Sequence, residues 1–420
     1  MRSDRDSPGP SWHPPERPDW VQRLNAEGRC LDIRSVVPLD EESLCGSAMR
    51  STGLHDFGDE RWRQPFRILI AALDAEAELT LTGRLMARSD LLIALANRLE
   101  ITELFRTHPQ VAEEKIEKPV FITGLARSGT SFLYEILAQD PDARVPLSWE
   151  ALLPCPPPTP ETYETDPRIE RAHQLITQSN RVVPEFASVH ELSARLPWEC
   201  GLIMMNSFIS DFYLASYHIP SYAAWVQRDS WAYAYEYHRQ VLQVLQWKHR
   251  RRHWLLKAPN HQEHLPTLLA VYPDARLIQT HRDPIVCMSS VTSLLGYLTW
   301  MRSDRPFDAS AFERIMIGAG LADRLEQVTA LRDSGAIPAA SIADVLYQEL
   351  LDDPIRVVRS IYAHFGMPLS EQTVGRMVDY VRSKPQDKFG KHVYTVAAST
   401  ARERPLFERY QRRYHVPSEV

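Results

Sequence analysis

The chain has 420 residues, 44% of them hydrophobic, which suffices for one large domain with additions or for two domains and excludes disorder throughout. A formal charge of −6 is small for this length and argues against a nucleic-acid partner. Five scattered cysteines, with no C-x-x-C pair and no His/Cys cluster, offer no metal-ligand spacing and fit a reducing, cytoplasmic location.

In chain order, the first 22 residues are dense in Pro, Ser and Arg, and proline denies them regular hydrogen bonding, so they read as a flexible tail. They hold no apolar h-region, so no secretory signal is expected. From Leu31 to about His108, stretches such as "RWRQPFRILIAALDAEAEL" and "RSDLLIALANRLEITELF" place apolar residues at helical spacing, with Ser89-Asp90 as a helix start. Residues 23–115 are therefore expected to form a helical N-terminal extension. No run reaches the roughly 18 to 20 apolar residues needed to cross a bilayer, so no integral membrane segment is expected.

At Lys118 the pattern changes. "PVFITG" is a short apolar run ending in glycine, and "SGTSFLYEILAQ" after it has the period of a helix. The proline-dense "PLSWEALLPCPPPTP" follows, then a long aromatic-rich helical stretch from about Leu202 to Trp247. Two more strand-like runs, "HWLLKAP" and "ARLIQT", each precede a helical pattern, the second from about Pro284 to Leu298. "SIADVLYQELLDDPIRVVRSIYAHFGMPL" reads as a short strand and an amphipathic helix stopped by Gly366, and "KPQDKFGKHVYTV" as a basic, glycine-containing loop. Strands alternating with helices predict an α/β fold of P-loop type over 116–415: three layers, with a central parallel sheet flanked by helices and ligands bound beyond the strands' carboxyl ends.

Two constellations sit at those ends. Gly124 and Gly129 have the separation of a phosphate loop, but Thr130 and Ser131 follow where an ATP-type loop has lysine and a hydroxyl. A helix N-terminus behind such a loop offers free N–H groups and the positive end of the dipole to an anion. Neither later strand ends in a plausible magnesium-holding aspartate, Asp283 being the nearest, whereas Arg127 puts a cation inside the loop. In "THRDPIVCMSS", Arg282 at a strand end and Ser290 eight residues on suit a second, separate phosphate.

The pairing of "GLARSGTSFL" with "THRDPIVCMSS" resembles the sulfotransferases that use 3′-phosphoadenosine-5′-phosphosulfate (PAPS), over roughly Lys118 to Val396. The resemblance implies PAPS as co-substrate without a metal. Arg127, Ser128, Gly129, Thr130 and Ser131 would hold its 5′-phosphosulfate, and Arg282 and Ser290 its 3′-phosphate. It further implies that Lys257 contacts the donor beside Arg127, that Tyr347 lies against adenine, and that Lys388, Gly390 and Lys391 of "KFGKH" close over the 3′-phosphate.

The acceptor hydroxyl or amine must lose a proton as it attacks sulfur, so a general base is expected. The family patterns leave two candidates, Glu150 and His261. Tyr217, Tyr222 and Trp225 are candidates for lining an apolar acceptor pocket, and the expected acceptor is a small molecule, lipid or glycan. A homo-oligomer stays open. Two alternatives remain: a P-loop kinase or NTPase with an atypical loop, and a catalytically silent nucleotide-binding protein.

Overall fold

A computed structural model describes residues 12–312, 317–384 and 402–420. Five strands, β1 (Val120–Gly124), β2 (Ala143–Arg144), β3 (His253–Lys257), β4 (Arg276–His281) and β5 (Ile342–Leu346), form one sheet in the order β2-β3-β1-β4-β5. Every neighbouring pair is parallel. The short, almost uninterrupted apolar runs arise because both faces of a parallel sheet are covered.

Alternate side chains enter two cores. Phe121, Trp254, Leu256 and Leu277 join one cluster, which they share with Trp62, Phe66 and Leu95 from the helical N-terminal region. Val120, Ile122, Leu255 and Ile278 join the other, beneath the helices Thr130–Leu137, Pro354–His364 and Glu371–Ser383. The result is the expected three-layer arrangement, with the helical region sharing its core with the sheet.

Four details differ from the sequence reading. Part of residues 12–22 is packed: Trp12 meets Tyr297 and Phe307 edge-on, and Arg17, 7% exposed, donates to Ser303 O at 2.8 Å. Ser89-Asp90 do not start a helix; they lie within Leu81–Thr107, whose cap is Thr80, accepting from the Gly83 N–H at 3.1 Å. The stretch Leu202–Trp247 is broken, because Ser210 caps one short helix and Pro220 opens another before Ala232–Trp247 begins. Strand β2 has two residues, too few for a period to be recognised.

Candidate active site

Loop 125–129 leaves β1 under tight steric control. Gly124 has φ +134°, and a Cβ there would lie 2.4 Å from Thr280 O of β4. Gly129 has φ +90°, and a Cβ there would meet the Tyr347 ring at 2.9 Å. Between them Arg127 adopts φ +71°, a left-handed conformation that costs a side-chain-bearing residue about 1–2 kcal/mol and is typical of functional turns. Ser128 Oγ is turned inward, donating to Leu125 O at 2.5 Å and lying 2.6 Å from Thr280 Oγ1, so it locks the loop to β4. Ser128 is fully buried. Thr130 and Ser131 open the helix Thr130–Leu137 and face a cavity.

The end of β4 converges on the same loop. Arg127 Nε donates to Ser290 Oγ at 2.9 Å, and Arg282 Nη1 donates to Arg127 O at 3.0 Å. Arg282 stacks 3.9 Å over the Tyr347 ring, and its Nε and Nη2 fork onto Glu419 at 2.9 and 2.8 Å. Asp283, fully buried, caps the helix Pro284–Trp300 through the Ile285 N–H and pairs with Arg404, so it is not disposed to hold a metal. Lys388, Gly390 and Lys391 lie outside the described residues.

Lys257 ends β3 and is 3% exposed. Its Nζ donates to Ser131 Oγ at 3.1 Å and, in a short bond, to Glu199 Oε1. Glu199, whose side chain is 35% exposed, faces the cavity together with Arg127, Lys257 and Ser131. The cavity has a volume of about 1560 Å³. The helix Pro284–Trp300 presents Cys287, Ser290, Val291, Leu294 and Leu298 to it, over about 16 Å of helix. Met86, Ile93, Phe186, Trp198 and Leu202 add further apolar wall. Among the polar lining residues, burial pushes His190 down to about 4, and burial followed by the Glu199 charge lifts Asp211 to about 7.

Neither expected base is in this cavity. Glu150 is fully buried, forked onto Arg144 at 2.7 and 2.5 Å and accepting from Tyr163 Oη at 2.8 Å and from the Leu147 N–H at 2.9 Å. His261 is also fully buried, with Nδ1 2.7 Å from Tyr235 Oη, and desolvation holds its pKa well below the ordinary histidine value. Tyr217 and Tyr222 are packed into the core, and Trp225 lies against it, so the cavity wall is built from other residues. Glu199 carried no motif; it approaches Lys257 only through tertiary folding. Glu150→Ala is expected to destabilise the protein by about 3–5 kcal/mol, leaving Arg144 buried and unpaired. Denaturant unfolding checks this, and an unchanged midpoint would contradict it.

A model of the sulfotransferase family matches residues 119–371, from β1 to beyond β5. The chain belongs to the sulfotransferase family. Sulfotransferase STF1 of Mycobacterium tuberculosis superposes with a TM-score of 0.74 at 31% identity, covering 88% of this chain and 98% of that one. STF9 of Mycobacterium avium gives 0.77 at 27% identity, covering 91% and 98%. The omega-hydroxy-beta-dihydromenaquinone-9 sulfotransferase Stf3 of Mycobacterium bovis is 26% identical over 306 residues, 68% of this chain and 73% of that protein. This sulfotransferase is therefore an enzyme of sulfuryl transfer, which sets aside the kinase and the silent-binder alternatives. Among the described residues, no helix of the sulfotransferase is long and apolar enough to cross a membrane, and no group of three His, Cys, Asp or Glu is placed to hold a metal.

Proposed function

We propose that the sulfotransferase takes its sulfuryl group from PAPS and delivers it to the terminal hydroxyl of an elongated, lipid-like alcohol. The observation that carries this reading is Lys257, whose ammonium bridges the loop hydroxyl of Ser131 and the carboxylate of Glu199 in a cavity that also has apolar walls. Loop, cation and carboxylate are thereby gathered where donor and acceptor would meet.

In this reading the N–H groups of the first turn of Thr130–Leu137, with Arg127 and Lys257, bind the 5′-phosphosulfate. Arg282 and Ser290 take the 3′-phosphate, and Tyr347 lies against adenine. The acceptor oxygen forms its bond to sulfur as the bond from sulfur to the bridging phosphate oxygen breaks. Glu199 accepts the hydroxyl proton, and Lys257, released from Glu199, stabilises charge on the departing phosphate. Glu199 thus replaces Glu150 and His261 as the proposed base.

An apolar wall along about 10 Å of helix, from Val291 to Leu298, favours a flexible aliphatic chain over a compact polar acceptor. The lipid named for the Stf3 relative supports the same acceptor class. The five unpaired cysteines support action in a reducing compartment. With radiolabelled PAPS, kcat/KM is expected to rise at least tenfold from butanol to a long isoprenoid or fatty alcohol, since each buried methylene contributes about 0.8 kcal/mol. A flat or falling series would overturn the lipid reading.

A further inference from the structure

Arg282, to which the reading above gives the 3′-phosphate, already holds an anion. Its Nε and Nη2 donate to Glu419 Oε1 and Oε2 at 2.9 and 2.8 Å, the bidentate geometry that a phosphate would use. The segment carrying this carboxylate is tied down without it. The Glu419 N–H donates to Asp283 Oδ2 at 2.8 Å, while Arg404 donates to Ser418 Oγ at 2.8 Å and to Val420 O at 2.7 Å. Arg404 also donates to Asp283 Oδ2 at 3.1 Å, so the buried carboxylate beneath the segment is paired. The Glu419 side chain, 28% exposed, can therefore rotate away from Arg282 while its backbone stays in place.

We propose that Glu419 is a positioning residue of the donor site: its carboxylate presets Arg282, exchanges with the donor's 3′-phosphate, and returns to Arg282 as the spent nucleotide leaves. A phosphate, with more charge and three acceptor oxygens, displaces a partly exposed carboxylate from a guanidinium fork. In the reverse direction, an internal anion always at hand lowers the barrier to losing a tightly held product. Arg282 then passes between two anions, and its charge is not left bare. The Tyr347 ring under the guanidinium and the Arg127 carbonyl at Nη1 keep the cation in register during the exchange.

The test uses the full chain with adenosine 3′,5′-bisphosphate, following equilibrium binding by calorimetry and dissociation by stopped flow. ADP is the comparison ligand, and Arg282→Ala the control. Glu419→Gln and Glu419→Ala are expected to tighten binding of the bisphosphate on the order of threefold to tenfold, mainly through slower dissociation, and to leave ADP binding unchanged. The donor KM should fall, and kcat should fall with it where product release limits turnover. Weaker binding, or an unchanged dissociation rate in both variants, would overturn the exchange. Failure of the underlying reading looks different: Arg282→Ala would then bind the bisphosphate as well as the wild type does.

Discussion

Lys257→Ala is expected to lower kcat by about 10²–10³-fold, the usual consequence of removing one preorganised donor from a site where charge develops. The argument rests on position. Lys257 is 3% exposed, at the carboxyl end of β3, in register with Ile122 of the central strand, which lies three residues before loop 125–129 begins. It is therefore held by the sheet, and only its bond to Glu199 has to be given up as the sulfur–oxygen bond breaks. Binding of adenosine 3′,5′-bisphosphate, which is gripped at Arg282 as well, should weaken far less than kcat falls. Single-turnover kinetics with radiolabelled PAPS separate the two effects, and unfolding curves check that the substitution has not simply loosened the sheet. A variant that turns over within threefold of wild type would remove Lys257 from the transition state.

What could be read from the chain follows the range of the interactions. β1, the loop and the helix Thr130–Leu137 are contiguous, and their signals are local: an apolar run, glycines needed at φ +134° and +90°, and a helical period. The placement of Arg282 and Ser290 was legible for the same reason, at the end of β4 and within the helix that follows. The base was not. Glu150 and His261 were chosen by their distance along the chain from the loop and from the strand lysine, and each has a buried partner that sequence cannot display, Arg144 for one and Tyr235 for the other. The cavity wall was hidden in a similar way. Aromatic density marked Tyr217 and Tyr222, yet their rings fill the core, while the wall comes from Met86, Leu202 and Leu294, residues far apart in sequence. Aliphatic residues that line a cavity and those that fill a core obey the same periodicity, so the distinction exists only in three dimensions.

Glu199→Gln is expected to lower kcat by about 10²–10⁴-fold while retaining the side-chain volume and most of the affinity for adenosine 3′,5′-bisphosphate. Glu199 combines exposure to the cavity with direct contact to Lys257. Asp211 also faces the cavity, where burial first and the Glu199 charge second lift it to about 7, so it is partly ionised at neutral pH; what distinguishes Glu199 is its direct contact with Lys257. His190 is held near 4, neutral but a poor proton acceptor. A loss in Glu199→Gln could arise in two ways, because the same carboxylate both accepts a proton and steadies Lys257. Glu199→Ala distinguishes them. Added formate, small enough to enter the vacated space, should restore part of kcat if the missing function is proton acceptance, with saturating dependence on formate concentration. A restored rate that needs no carboxylate, or a Glu199→Gln variant as fast as wild type, would assign the base elsewhere and leave Glu199 only the task of holding Lys257.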